Sequence, residues 1–517
     1  MCAVNIKEKI KIDQTKPNYL VQLDLDQNIK AVAYSKSVLE SKEKVFFIAR
    51  ESDNKYLYII KDNMKGTTVD LSHFEGTFVD ANKLVMKCEL STKNRKAIQK
   101  ELSFTNPAVI GLTNSFGFGD RLGLSNPGHL RALINSKFKP ILAQQSIREL
   151  MRTNRTPDEV MNAAVWAVVQ EGYKEGFGAD ADHLKTTDDI DLMVKAGFTM
   201  FTFDPSEHVD NEADNYDEET LLEMLAALPW KLLEDSFPDA EQRYLSKPIK
   251  ISESLIISPD EIELLRAYAK YGKAIAHIKN LYKYIQENYS NLEFEIEVSV
   301  DETESVTSPF EHFFFSNELI RLGVKFISLA PRFIGDFEKG IDYKGDLKAF
   351  EEEYKKHLAV TEYFGSYKIS LHSGSDKFSV YHIIGKLKSG KTHVKTAGTS
   401  YLEALKTAAI KQPDLFREIL DYSRNLYEHE KKTYHVSADI HKVQPSVKYS
   451  NEELLKLFQS DDARQVLHVT FGRVLTDKDD KGNYIFKNRI LNCLRENEDT
   501  HYDLLIEHFR KHLEPFE

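Results

Sequence analysis

Apolar runs of strand length recur along the chain from residue 104 onward, and stretches with helical periodicity separate several of them. In chain order, the eight runs are AVIGLTN, KPILAQQ, FGADADHL, FTMFTFD, FEIEVSV, KFISLAP, KISLHSG and THVKTAG. Helical patterns precede the third, fourth and sixth runs, as TPDEVMNAAVWAVVQEGY, DDIDLMVKAG and SPFEHFFFSNELIRLG. Strands that alternate with helices are typical of parallel sheets. Eight such units in roughly 300 residues predict an α/β fold of the (β/α)8 barrel type. An open dinucleotide-binding sheet is the competitor, but no GxGxxG turn opens a helix.

The segments on either side of the barrel have different patterns. Before residue 104, the runs KVFFIAR, KYLYIIKD and KLVMKCEL are separated by the turn sequences ESDN and NMKG, which predicts short strands. The tail from Asn451 has mostly helical periodicity. We therefore predict a β-rich N-terminal domain over residues 1–103, a catalytic barrel over 104–445 and a helical C-terminal extension over 446–517.

Composition and charge narrow the class of protein. The 517 residues carry a formal net charge of −12, which argues against a nucleic-acid partner because phosphate contacts need a basic surface. Cys2, Cys88 and Cys493 are too widely spaced for a disulfide framework or a CxxC metal site. The charged start of the chain lacks a signal-peptide core, and no run reaches the roughly 18 apolar residues of a membrane helix. We expect a cytoplasmic protein with no membrane contact, and a homo-oligomer is left open.

Polar residues follow the apolar runs where a barrel places its chemistry, at the carboxyl ends of the strands. Asp182 and His183 end the third run, Glu297 lies in the fifth, and His372 follows the seventh. Imidazole and carboxylate are the ligands of catalytic Zn, Mn, Ni, Co or Fe, so these residues predict a divalent metal site of unknown metal. Asp182 has the chemistry of a general base beside a metal.

Each of these residues also has a structural interpretation. A single histidine after a strand is more often a hydrogen-bonded core residue, and Glu297 can pair with a lysine or arginine instead of a metal. His312, in the first turn of the helix after the fifth run, is a further candidate metal ligand with the same alternative.

Candidate substrate contacts come from cations and a further carboxylate. Arg332 follows the sixth run, and its planar guanidinium suits bidentate binding of a carboxylate. Lys377 and Lys395 are the alternates, and Asp204 ends the fourth run. The glycine-rich stretch 114–129 follows the first predicted strand and predicts turns that approach a ligand. It lacks the lysine of a phosphate-binding P-loop.

Several long strings resemble the tagaturonate epimerase family of bacterial hexuronate catabolism. They are GLTNSFGFGDRLGLSNPGH, GFGADADHLKT, EVSVDET, ISLAPRF, GIDYKGDL, LHSGSDKFS and HVKTAGTSYLEAL, and they cover most of residues 104–445 in the expected order. The resemblance implies a metal-dependent epimerase that interconverts D-tagaturonate and D-fructuronate. It implies Asp182 as the base, Glu297 as the acid, and His183 and His372 as metal ligands. The remaining ligand stays open among His312, Asp204 and Asp336, and neutral ketohexoses stay open as substrates.

The two sugar acids differ at a carbon two bonds from the ketone, whose C–H the carbonyl does not acidify. We therefore hypothesise a retro-aldol route, in which the adjacent C–C bond breaks, the aldehyde rotates and the bond re-forms on its other face. A metal would stabilise the developing negative charge. Two alternatives remain: a metal-dependent aldolase or ketose isomerase acting on sugars or sugar acids, and a catalytically silent sugar-binding protein.

Overall fold

The computed structural model describes residues 10–12, 21–25, 29–61, 69–388 and 390–517. The predicted turn NMKG, residues 63–66, and Cys2 lie outside these ranges. Within them, no helix is both long and apolar enough to cross a membrane.

The N-terminal region forms an antiparallel sheet, as its alternating pattern predicts. The strand order is β1-β2-β3-β5-β6-β8-β7, and β4 pairs with β5. One face of β5 and β6 packs on the main hydrophobic core, through residues such as Phe46 and Leu57. Its strands are β1 (Ile10–Ile12), β2 (Val21–Leu25), β3 (Ile29–Ala33), β4 (Leu39–Ser41), β5 (Lys44–Glu51), β6 (Asn54–Lys61), β7 (Gly76–Phe78) and β8 (Val85–Glu89).

Eight parallel strands close into a barrel, and this confirms the predicted fold class. A two-stranded hairpin, β13 and β14, lies in the long connection after the fourth barrel strand. In chain order the strands are β9 (Ser115–Gly119), β10 (Lys139–Ser146), β11 (Gly178–Leu184), β12 (Met200–Phe203), β13 (Ile249–Lys250), β14 (Ile256–Ile257), β15 (Glu295–Ser299), β16 (Ser328–Ala330), β17 (Lys368–Leu371) and β18 (Thr392–Thr396).

The first barrel strand differs from the prediction. AVIGLTN is irregular, and the strand is the SFGFG of the glycine-rich stretch, so the prediction of turns was wrong for residues 115–119. Residues 120–125 of the same stretch form an irregular connection. The glycines allow the close approach of the neighbouring strands. A Cβ on Gly117 would lie 1.6 Å from Gln144 Oε1, and one on Gly119 would lie 2.6 Å from Ala397 Cα. The irregular segment before β9 closes the end of the barrel at which the strands begin. There, the backbone N–H groups of residues 110 and 111 donate to Glu295.

The predicted helices between the strands are present, and their starts are set by side-chain caps. Thr156, Thr186 and Ser308 each accept from the backbone of the third helical residue, whose carboxylate bonds back in a capping box. The helices up to the eighth strand are α1 (Thr92–Glu101), α2 (Asn126–Ala132), α3 (Ile147–Thr153), α4 (Pro157–Glu171), α5 (Thr187–Ala196), α6 (Glu218–Ala226), α7 (Trp230–Leu233), α8 (Phe237–Tyr244), α9 (Glu261–Asn288), α10 (Pro309–Arg321), α11 (Leu347–Phe364) and α12 (Phe378–Leu387).

The chain after the eighth strand is mainly helical. Most of these helices form a hydrophobic core of their own. Helix α19 instead packs its apolar face, which includes Leu505 and Phe509, into the core of the barrel. The helices are α13 (Thr399–Lys411), α14 (Pro413–Glu430), α15 (Asn451–Lys456), α16 (Asp461–Val469), α17 (Phe471–Thr476), α18 (Lys487–Glu496) and α19 (Glu498–Leu513). The domain limits at residues 103 and 445 stay predictions.

Candidate active site

Two histidines and a carboxylate meet at the carboxyl end of the barrel. His183 lies on β11, His372 directly follows β17, and Asp301 lies two residues beyond β15. One ligand atom from each of the three lies within 4.8 Å of those of the other two. The His372 Nδ1 atom is 3.1 Å and the His183 Nε2 atom 3.7 Å from the same oxygen, Asp301 Oδ1. The structure thus brings together the two predicted histidines and adds Asp301, which the sequence reasoning did not select.

This donor set fits a divalent metal. His183 Nε2 is buried and has no hydrogen-bond partner among the described residues, although an imidazole nitrogen in such a place normally has one. The other nitrogen, Nδ1, lies 2.9 Å from Asp182 Oδ1, an arrangement that orients a metal-ligating imidazole. Two imidazoles and one carboxylate are also the ligand types of catalytic metal sites that leave positions for substrate.

A buried lysine holds three carboxylates together beside these histidines. Lys395 Nζ, on β18, lies 2.7 Å from oxygens of Asp180, Asp182 and Glu297. It also lies 2.6 Å from the Thr202 hydroxyl. Lys395 is therefore committed to the protein's own carboxylates, and the prediction that it contacts substrate remains untested.

The charges of this cluster set its protonation. Burial opposes ionisation of Asp182, but His183 and Lys395 hold the pKa of its carboxyl well below the ordinary value. Burial likewise opposes ionisation of Glu297, whose pKa is held well below its ordinary value by Lys395 and His372. Burial dominates for Asp180 and raises its pKa to about 6. Asp182 and Glu297 are thus both ionised near neutral pH.

His312 does not join the metal ligands. It is buried on α10, where its Nδ1 lies 3.0 Å from His357 Nδ1 and its Nε2 lies 3.0 Å from the Tyr367 hydroxyl. Burial, followed by the neighbouring His357, holds the pKa of His312 well below its ordinary value. His312 is therefore a hydrogen-bonded core residue, which was the alternative interpretation of this histidine.

Lys377 also lies away from the cavity. Its buried ammonium donates to the backbone carbonyls of Glu338 at 2.8 Å, of Ser375 at 3.1 Å and of Ile341. Burial lowers the pKa of Lys377 to about 7. The predicted role of Lys377 as a substrate-binding cation does not agree with this position, because its donors point into the protein.

The remaining predicted residues, Arg332, Asp204 and Asp336, lie in different places. Arg332 lines the outer part of the cavity, together with the candidate metal ligands Asp301 and His372. Asp204 accepts from the backbone N–H of Ser206 and is grouped with His183 and Glu302 in a second, more exposed set of ligand atoms within 4.8 Å. Asp336 pairs with His435 at the surface, at 3.0 Å.

The cavity has the size of a small-molecule site. The outer part has a volume of about 480 Å³, and an inner part of about 70 Å³ reaches Asp182, His183 and Lys395. Asp301, His372 and Lys339 line both parts. The outer part is bordered by Tyr434, in the irregular segment after α14.

A family model described as tagaturonate epimerase (UxaE) matches residues 34–516. The chain belongs to the tagaturonate epimerase family. It is 41% identical over 484 residues to the tagaturonate/fructuronate epimerase of Thermotoga maritima, across 94% of this chain and 96% of that protein. The native and the glycerol-complexed crystal structures of fructuronate-tagaturonate epimerase UxaE from Cohnella laeviribosi match with a TM-score of 0.86 and 38% identity. Each match covers 94% of this chain and 96% of the other. These findings confirm the resemblance, and they make the chain an epimerase of the isomerase class.

Proposed function

We propose that the protein interconverts D-tagaturonate and D-fructuronate with the help of a divalent metal. The single observation that carries the proposal is the meeting of His183, Asp301 and His372 beside the lysine-bridged carboxylates Asp182 and Glu297. The names of the relatives support the substrates, because both describe epimerases of these two sugar acids. A reducing compartment such as the cytoplasm suits the buried free thiols of Cys88 and Cys493.

The metal would be held by His183, Asp301 and His372. When bound, a divalent cation supplies Lewis-acid stabilisation of negative charge on substrate oxygens. Its identity stays open among Zn, Mn, Ni, Co and Fe. Glu302 lines the cavity and would contact substrate or solvent at the edge of the same site, whereas Asp204 is buried and lines neither part of the cavity.

The carboxylates would move one proton. Asp182 takes the proton from the hydroxyl of the carbon that is inverted, and the C–C bond toward the ketone breaks to leave an aldehyde. After the aldehyde has rotated, the bond re-forms on its other face, and Glu297 returns one proton to the new alkoxide. Lys395 Nζ, at 2.7 Å from both carboxylates, can receive the proton from Asp182 and pass one of its own to Glu297. The cycle then ends with every group in its starting state.

Ser328 and Thr202 would keep Glu297 in place for this step. The Ser328 hydroxyl donates to Glu297 Oε2, and Thr202 lies 3.4 Å from Oε1. Strand register puts the three residues side by side, because Glu297 pairs with Thr202 on one side and with Ser328 on the other. Hydrogen bonds from the neighbouring strands therefore fix the carboxylate in the barrel interior.

The test is incubation of metal-loaded protein with D-tagaturonate in deuterated water. We expect D-fructuronate without deuterium at the inverted carbon, since a retro-aldol route leaves that C–H bond intact. Protein treated with EDTA should be inactive, and it should recover when metal is restored. Three-carbon products in place of the epimer would favour the aldolase. Deuterium at the inverted carbon would rule out the retro-aldol route, and full activity without metal would rule out the metal site.

A further inference from the structure

Lys339 differs from its neighbours in having no carboxylate partner. Around the cavity, Arg121 pairs with Glu149 at 2.8 Å and Arg148 with Glu302 at 3.1 Å. No carboxylate of the described residues lies within 4.0 Å of Lys339 Nζ, which donates to the Ser373 hydroxyl at 2.7 Å. A cation that lines both parts of the cavity and is not neutralised by the protein is suited to an anionic ligand group.

Two loops bring Lys339 and Ser373 together. Lys339 lies in the loop 331–346 between β16 and α11, and Ser373 lies in the loop 372–377 between β17 and α12. The buried ammonium of Lys377 joins the two loops, because it binds the carbonyls of Glu338 and Ile341 in the first and of Ser375 in the second. The two carbonyls in the first loop flank Lys339.

The C-terminal region adds a second link between the same loops. Arg464, on α16, donates from Nε to the Gly340 carbonyl at 2.7 Å and from a terminal nitrogen to Asp376 Oδ2 at 2.6 Å. The neighbouring Gln465 donates to Glu338 Oε2 at 2.7 Å. The backbone on both sides of Lys339 is therefore held by buried hydrogen bonds, so the loop from which its side chain extends is preorganised.

Arg332 is the other cation of the cavity that has no ion pair within the described part of the chain, and it differs from Lys339 in its surroundings. No hydrogen bond of the Arg332 guanidinium is found there; Arg332 is bonded through its backbone, whose N–H donates to the Thr307 hydroxyl and whose carbonyl accepts from the Thr307 N–H. Lys339 also reaches the inner part of the cavity, which Arg332 does not line. Ser373 is next to His372 in the chain, so the Lys339–Ser373 pair lies beside the proposed metal ligands.

We propose that Lys339 and Ser373 form the subsite for the carboxylate of the substrate, and that Lys339 selects sugar acids over neutral ketoses. This inference rests on the proposed function and names the residues that recognise the acid group. The serine hydroxyl accepts from the lysine and still has its own hydrogen to donate to a carboxylate oxygen. Both donors can therefore bind one carboxylate.

The chemistry gives this subsite a second role. When the C–C bond toward the ketone breaks, the carboxylate stays on the fragment that carries the aldehyde. A cation that holds the carboxylate keeps this fragment in the cavity while the aldehyde turns its other face to the partner fragment. Loss of Lys339 should then release three-carbon products from part of the turnovers.

The test uses K339M in the metal-loaded, full-length protein, with D-tagaturonate as substrate and D-tagatose as a neutral competitive inhibitor. Loss of a charge-assisted hydrogen bond worth about 2–3 kcal/mol corresponds to a fall of about 30- to 150-fold in kcat/KM. The inhibition constant of D-tagatose should change less than about twofold, because D-tagatose has no carboxylate to bind Lys339. The metal content should not change. K339R should recover part of the loss, because it restores the charge.

The matched control is K348M, which removes an exposed lysine of α11 and should leave both constants as in the wild type. An unchanged kcat/KM in K339M, or equal losses for the acid and for D-tagatose, would overturn the inference. Failure of K339R to recover any activity would also count against it. If the wild-type protein does not epimerise D-tagaturonate, the proposed function itself has failed, which is a separate result.

Discussion

His183 connects the two parts of the candidate site. Its Nδ1 bonds to Asp182, and its Nε2 faces Asp301 and Glu302 at 3.7 and 3.8 Å without a hydrogen bond. Its φ of +52° lies in the left-handed region, where a residue with a side chain is uncommon. The backbone at the end of β11 is thus held in an unfavourable conformation that places the imidazole between Asp182 and the proposed metal position.

Removing either histidine should remove the metal. We expect His183→Ala and His372→Ala to lower metal affinity by more than about 100-fold, since each deletes a proposed ligand, while the fold is retained. Metal content after dialysis and a calorimetric titration measure this. His312→Asn is the matched control, because His312 is buried in another cluster and should leave metal binding intact. Equal metal content in all three variants would contradict the assignment.

The sequence identified residues whose position follows from strand order. Asp182, His183, Glu297 and His372 lie in or beside barrel strands, and the carboxyl ends of these strands converge. Asp301 was not selected because it lies beyond β15, in a loop whose path no periodicity describes. The sequence also could not show that the Lys377 ammonium turns inward, since its partners are backbone carbonyls of a distant loop.

At the scale of elements, the barrel is closed by the contact between β18 and β9. Strand register pairs Lys395 with Gly117 and Thr396 with Phe118 across this seam. The seam brings Lys395, from the last strand, to the carboxylates of β11 and β15. The apolar run AVIGLTN predicted the wrong segment for β9, because close packing inside the barrel favours glycine over the β-branched residues of an ordinary strand.

Gly119→Ala should therefore destabilise the barrel. The added Cβ would lie 2.6 Å from Ala397 Cα and 2.8 Å from the Thr396 carbonyl oxygen, which are backbone atoms that cannot rotate away. We expect a loss of about 1–3 kcal/mol or more, seen as a lower thermal unfolding midpoint. Gly472→Ala is the control, since its Cβ would meet nothing closer than 3.4 Å. Equal midpoints for the two variants would show that the seam can relax.

At the scale of the whole molecule, buried neutral histidines lie within the barrel and where it meets the C-terminal helices. Burial lowers the pKa of His129, His393 and His512 to about 3, and that of His501 to about 4. His129, on α2, bonds to Ser400 of α13 at 2.8 Å, and its ring stacks on Phe118 of β9, the first strand of the barrel. Each of these rings is buried, so a positive charge on it would be held away from bulk solvent.

These histidines predict that the protein loses stability as the pH falls below 6.5. The pKa of each is lower in the folded than in the unfolded chain, so only the unfolded chain takes up the proton between pH 6.5 and about 3, or about 4 for His501. Each histidine should then lower the free energy of unfolding by about 1.4 kcal/mol for every unit that the pH falls within that window. Carboxylates of the unfolded chain titrate near pH 4, so the histidines dominate between pH 6.5 and 5. Thermal unfolding midpoints over this range measure the effect.

His129→Gln tests the contribution of one ring. Glutamine is polar and does not titrate, so it removes one proton-binding group from the unfolded chain and leaves the others. We expect the variant to have a lower midpoint than the wild type at pH 7, because the contacts with Ser400 and Phe118 are weakened. The difference should shrink as the pH falls to 5, since the wild type alone carries the cost of keeping His129 neutral. A difference that stays constant across this range would mean that His129 takes up its proton equally in the folded and unfolded chains.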